Sequence, residues 1–155
     1  MTKNGVTYRD ATAADIPTFV QLDKELFPHA MWNQEHYEND FKGVPLTHFF
    51  RVAVDEKNQI VGYAAVMVPA PGVEADILTI GVITEHRKSG IGTAFMVELE
   101  NWAIKKESNA MMLEVGVENA PAIELYESLG YLRISERKNF YGPSRDALVM
   151  RKELL

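Results

Sequence analysis

Arg87-Lys88-Ser89-Gly90-Ile91-Gly92-Thr93 decides how this chain is read, because of what flanks it. An apolar, strand-like run, Ile77 to Ile83, precedes the turn and a helical run, Thr93 to Lys106, follows it. Glycine lets the backbone adopt positive φ and lets a ligand approach closely. The free N–H groups at a helix start, with the helix dipole, attract an anion. Arg87 and Lys88 add positive charge at the same place. A strand, a basic glycine turn and a helix start therefore suggest a phosphate cradle made by Arg87 to Thr93. The competing explanation is a turn that needs glycine for its backbone alone. A dinucleotide fingerprint is excluded, because Phe95 stands where a third Gly or Ala belongs. A Walker loop is excluded, because no Gly-Lys-Ser/Thr follows.

Working outward, several strands come before this turn. Val6–Arg9 is β-like, and Thr12-x-x-Asp15 resembles a capping box opening a helix over Ala13–Leu26, with Pro17 in its first turn. Phe27 to Trp32 breaks that helix, and a second is expected from Gln34 to Phe41. His48–Val54, Gln59–Val68 and Glu74–Ile83 follow as a meander of antiparallel strands, with turns at Asp55–Asn58 and Pro69–Gly72. The helix Ile91–Lys106 carries Ile91, Phe95, Leu99 and Trp102 on one stripe. Met111–Val117 is a strand. Asn119 caps a helix reaching Leu129, and Gly130 ends it. Tyr131–Arg137 and Ala147–Lys152 are the last strands, joined by the loop Lys138–Asp146. The pattern predicts one α/β (α+β) domain over residues 1–155, with a mixed, mostly antiparallel central sheet flanked by helices.

Composition narrows the function. The net charge is −6, so nucleic-acid binding, which needs a basic face, is not expected. There are no cysteines, which excludes a thiol nucleophile, disulfides and thiolate metal sites, and fits a cytoplasmic location. The N-terminus shows no signal peptide. The longest apolar run, Ile60 to Pro71, is far short of the roughly 20 residues of a membrane span. None of the four histidines has metal-ligand spacing with another, so no metal is expected. No Gly-x-Ser-x-Gly elbow marks a serine hydrolase.

Two side chains are candidates for chemistry. Strand alternation puts Met111, Leu113, Val115 and Val117 on one face and Met112, Glu114 and Gly116 on the other. A carboxylate among apolar residues is raised by desolvation and suits a general base; an edge-strand charge facing water is the alternative. Tyr126 could donate a proton to a leaving group, or could be a core tyrosine with a satisfied hydroxyl.

Arg87-x-x-Gly90-x-Gly92, followed by Asn119-x-x-Ala122-x-x-Leu125-Tyr126-x-x-x-Gly130-Tyr131, resembles the GNAT superfamily of acetyltransferases. The likeness covers nearly the whole chain. Leu113-Glu114-Val115, Arg137-Lys138-Asn139-Phe140-Tyr141, Asp146-Ala147-Leu148-Val149-Met150, and Phe27-Pro28 with Trp32 resemble the bacterial ribosomal-protein-alanine N-acetyltransferases more closely. The departures are His29-Ala30-Met31 inside the Phe-Pro-Trp spacing, Gly116 for a frequent Arg, and Phe140 for a common Tyr.

The resemblance implies a GNAT fold and acetyl-CoA as co-substrate. It places the pyrophosphate on the backbone N–H groups from Lys88 through Ser89, Gly90, Ile91 and Gly92 to Thr93. The pantetheine would lie beside Ile80 and Val82, where the strands of Ile80 and Val115 splay apart. Asn119 and Tyr126 belong to the same cofactor site. The resemblance makes Glu114 the base and Tyr126 the acid of a direct transfer, and Phe27, Trp32 and Tyr141 the loops around a peptide. The implied acceptor is a protein N-terminus, with a small-subunit ribosomal protein bearing an N-terminal alanine as the implied partner. Two other readings stay open: an acetyltransferase of a small amine or lysine side chain, and a non-catalytic CoA-binding sensor.

Overall fold

The computed structural model describes residues 5–28 and 33–154. The strands are β1 (Thr7–Asp10), β2 (His48–Val54), β3 (Ile60–Met67), β4 (Ala75–Val82), β5 (Ala110–Gly116), β6 (Leu132–Arg137) and β7 (Ala147–Glu153). The helices are α1 (Ile16–Leu26), α2 (Gln34–Phe41), α3 (Ile91–Lys105) and α4 (Ala120–Ser128). All seven strands form one sheet in the order β1-β2-β3-β4-β5-β7-β6. Every neighbouring pair is antiparallel except β4 with β5.

Local chemistry sets the helix ends. Thr12 N–H donates to Asp15 Oδ2 at 2.8 Å, and Arg9 grips the same carboxylate at 2.8 and 3.0 Å. The first turn, Ala13–Asp15, is a 3₁₀ turn, so the α-helix starts three residues later than its sequence pattern predicts. Asn33 Oδ1 accepts from His36 N–H at 3.0 Å and opens α2. Asn119 Oδ1 accepts from Ala122 N–H at 3.3 Å and opens α4, as expected.

Hydrophobic periodicity fills both faces of the sheet. Phe95, Met96 and Leu99 of α3 are fully buried, with Ile123 of α4, against Val61, Ala64, Met111, Leu113 and Met150. Trp102, expected on the same stripe, is half-buried and stacks on Phe49 at 5.4 Å. On the other face α1 and α2 cover Phe50, Val52, Tyr63 and Ala65 with Ile16, Phe19 and Tyr37. Each fully buried side chain of Leu or Phe size contributes about 1.5–3 kcal/mol.

The strand that positions the site is β4. Its register with β3 runs Ala65↔Thr79 and then Val66↔Ile77, so Leu78 is the extra residue of a β-bulge. A bulge reverses the inside–outside alternation. Ala75 and Ile77 pack toward α3 before it, and Ile80 and Val82 after it. On the other side, β4 pairs with β5 only at Ala75↔Met111 and Asp76↔Met112. Beyond Asp76 the two strands separate, which is the splay expected at Ile80 and Val115. The meander β2-β3-β4 is as predicted, while β7 inserts between β5 and β6.

Candidate active site

The parting of β4 and β5 opens a cleft of about 430 Å³. Ile77 to Ile80 form one wall and Leu113 to Gly116 the other. Asn119, Ala122 and Tyr126 line it from the α4 side of the sheet, and Asp23, Leu26, Phe27, Pro28 and Tyr141 from the α1 side and the β6–β7 loop. The cleft therefore passes through the sheet. Of the sequence-predicted residues, it brings together Ile80, Glu114, Asn119, Tyr126, Phe27 and Tyr141. Trp32 lies outside the described residues.

Val82 and the segment Arg87–Thr93 do not line this cleft but continue from it along β4 into α3. A 3₁₀ turn, Thr84–His86, leads into the glycine turn. Gly90 is the N-cap of α3 at φ +90°, a left-handed conformation that glycine adopts without strain. Gly92 has a different reason. A Cβ placed there would stand 3.1 Å from Leu125 Cδ2, so the absent side chain lets α4 pack against the start of α3. The first helical bond is Ala94 N–H to Gly90 O at 3.0 Å, which leaves the preceding N–H groups without intrahelical acceptors. Lys88 takes φ +62°, Ser89 Oγ donates to His86 O, and Arg87 Nε donates to Val82 O at 3.3 Å. The turn is thus tied to the end of β4, and Ile91 anchors it in the core at 3% exposure.

Glu114 sits on β5, an interior strand between β4 and β7, so it is not an edge-strand charge. Its side chain is 20% exposed, with Arg137 Nη1 at 4.0 Å from Oε1. Arg137 also lies over the Phe140 ring at 4.3 Å, and Phe140 meets Tyr141 edge to face at 4.9 Å. The β6–β7 loop is stitched by its own polar groups. Asp146 accepts from Asn139 N–H at 2.9 Å and from Lys138 Nζ at 3.1 Å. Burial, and then the nearby Glu114 charge, push the Tyr141 phenol up to about 12.

Tyr126 is 6% exposed and meets Tyr131 at 6.1 Å. Burial raises its phenol far above its ordinary value, with Tyr141 adding to the shift. It therefore remains a protonated hydrogen-bond donor throughout the neutral range. On the opposite wall Asp23 accepts hydrogen bonds from Tyr37 and Tyr63, and burial raises its carboxyl above the ordinary range despite both bonds.

Several site residues escaped the sequence. Asp23 was hidden in the α1 pattern, and Arg137 entered only as part of a motif. Asp76 of β4 stands on the same face of the sheet as Glu114 of β5, a relation set by strand pairing. Among the described residues, no group of three or more His, Asp or Glu is arranged to hold a metal ion, and no helix is long and apolar enough to cross a membrane.

Residues 16–131 match the model of the acetyltransferase (GNAT) family, and the chain belongs to that family. It is thus an acyltransferase by kinship. Among individual proteins, it is 30% identical to an N-alpha-acetyltransferase of Saccharolobus solfataricus, over 96% of this chain and 93% of that one. It is 31% identical to the N-alpha-acetyltransferase RimI of Mycobacterium tuberculosis, over 96% and 92%. Two solved structures share the fold. The ribosomal-protein-S18-alanine N-acetyltransferase of Escherichia coli matches with a TM-score of 0.82 at 22% identity, over 96% of this chain and 94% of that one. Arabidopsis thaliana NAA60 in complex with acetyl-CoA matches with 0.83 at 20% identity, over 96% and 98%.

Proposed function

We propose that residues 1–155 work as a single N-α-acetyltransferase domain, moving an acetyl group from acetyl-CoA directly to the N-terminal amine of a protein. The observation that carries this reading is the cleft through the sheet, with Glu114 on one side and Tyr126 on the other. Acetyl-CoA supplies an activated thioester carbonyl. The parted edge of β4, from Ile77 to Val82, offers main-chain groups to an extended ligand, and the α3 start at Gly90 and Gly92 offers N–H groups to its pyrophosphate. Arg87, Lys88, Ser89, Ile91 and Thr93 complete that cradle, and Asn119 borders the thioester end.

The acceptor enters from the α1 side, between Phe27 and Tyr141. Glu114 takes the proton of its ammonium. The free amine then attacks the carbonyl, and the carbon–sulfur bond breaks. Tyr126 faces the departing sulfur from the α4 side. Tyr126 gives the leaving thiolate its proton, and the nitrogen's second proton, released as the amide forms, returns through solvent to the phenolate. Holding both reactants in line lowers the barrier by about 7–11 kcal/mol when geometry is good.

The names of the two N-alpha-acetyltransferase relatives support a protein N-terminus as acceptor. The likeness to the ribosomal-protein-alanine enzymes supports an alanine-initiated ribosomal protein of the small subunit as its source. A panel of acceptors tests this: alanine-initiated peptides, the same peptides with only a lysine side chain free, and spermidine. Preferred transfer to the free N-terminus is expected. Preference for lysine or spermidine would overturn the acceptor class, and binding of acetyl-CoA without transfer to any amine would overturn catalysis.

A further inference from the structure

Asp76 occupies a particular place. It belongs to the last residue pair joining β4 to β5, at the fork where the cleft begins. Paired residues of parallel strands point to the same face, and alternate residues of one strand do too. Asp76, its partner Met112 and Glu114 therefore share the α1 face of the sheet. With strands about 4.8 Å apart, the two carboxylates stand within one strand spacing and two residues of each other. Arg137, 4.0 Å from Glu114, is the guanidinium opposite them.

Several other charges around this face are already engaged. Arg151, on β7 across Met112, is tied to Glu74 at 2.6 Å and to Glu153 at 3.4 Å. Lys138 and Asp146 hold each other at 3.1 Å in the loop. On the far side of β3, His48 lies 3.4 Å from Asp40. Asp23 of α1, which lines the cleft, accepts hydrogen bonds from Tyr37 and Tyr63. Arg145, Glu118 and Tyr141 stand at the cleft mouth. The fork itself thus holds two carboxylates against one guanidinium.

Resting on the acetyl-transfer reading above, we propose that Asp76 is a positioning residue for the acceptor. From the fork its carboxylate gives the Glu114–Arg137 site the extra negative charge that holds the incoming amine as an ammonium. An α-amino group titrates near 8, so an N-terminus arrives largely protonated at neutral pH. Two anions and one guanidinium plus one ammonium make a neutral set. Glu114 then has a proton to take, and Asp76 remains as the counter-charge to Arg137.

Burial, reinforced by the Glu114 charge and opposed by Arg137, lifts the Asp76 carboxyl to about 6. As pH falls through that value, Asp76 takes up a proton, the site loses a negative charge and the ammonium is held less well.

The test compares the wild-type chain with Asp76→Asn and Asp76→Glu. The readouts are KM and kcat for an alanine-initiated peptide between pH 5 and 8.5, with acetyl-CoA affinity measured alongside as a check on folding. In Asp76→Asn the peptide KM should rise about tenfold, one unit of binding discrimination, with kcat at pH 8 changed less than threefold. The fall in kcat/KM near pH 6 should shift to lower pH. Asp76→Glu, which keeps the charge, should recover KM to within about threefold of wild type. An Asn variant with wild-type peptide KM and an unmoved acid limb would overturn the proposal, as would a Glu variant no better than Asn. If the wild type passes over the peptide but acetylates spermidine, the N-terminus reading falls, and the same comparison on spermidine decides Asp76. Transfer to neither amine overturns both.

Discussion

Asp76 and Glu114 are both acids set into apolar strands, and Asp76 carries a measurable cost. Its carboxyl rises from 3.8 to about 6 on folding, chiefly by burial. A raised acid stabilises the fold fully only below its unfolded value, and that contribution is lost as pH climbs through the folded one. At pH 8 the ionised Asp76 therefore destabilises the protein by about 2–3 kcal/mol relative to its neutral form. Asp76→Asn should gain stability of that order in urea unfolding at pH 8, and the gain should shrink toward pH 5. Glu114→Gln should cut kcat about 10²–10⁴-fold with acetyl-CoA affinity nearly unchanged; a wild-type rate would remove Glu114 from the base role. Tyr126→Phe keeps the ring and loses the donor, and a slower turnover with unchanged binding of both substrates is expected. The predicted residues Glu114, Tyr126, Asn119, Ile80, Phe27 and Tyr141 do line one cleft. Asp76 and Arg137 were not legible, because their link to Glu114 depends on strand register rather than on any local pattern.

At the scale of elements, two glycines at one helix start do different work. Gly90 is held at φ +90°, where a side chain costs about 1–2 kcal/mol. Gly92 has an ordinary φ but only 3.1 Å to Leu125 Cδ2. Gly92→Glu adds bulk at that contact and a negative charge beside the proposed pyrophosphate site. Acetyl-CoA affinity should fall at least tenfold by calorimetry; an unchanged affinity would show the cradle to be elsewhere. The sequence showed the glycines but not which steric need each one meets. Hydrophobic period located the helices and the meander to within a few residues. It missed the bulge at Leu78, since a single extra residue leaves an apolar run looking continuous. It also missed the placement of β7 between β5 and β6, a long-range choice that no local run encodes.

Across the whole molecule, the sheet is two panels held by unequal seams. β5 and β7 pair along seven residues, β4 and β5 along two. Arg51 of β2 grips Glu98 of α3 through two bonds of 3.0 and 2.9 Å and reaches Asp10 of β1 at 3.0 Å. A ligand lying along the open seam adds contacts that the unfolded chain cannot make. Acetyl-CoA at about 100 times its Kd should stabilise the fold by about 2.7 kcal/mol and raise Tm by roughly 5–10 °C. No shift in Tm at saturating ligand would contradict binding to the folded chain. The short seam has one more consequence. Those peptide amides of β4 that look toward β5 beyond Asp76 lack a strand to bond with, so deuterium should enter them quickly in the free protein. Occupancy by the thioester should slow that uptake along one strand edge, giving a residue-by-residue footprint of the missing rung.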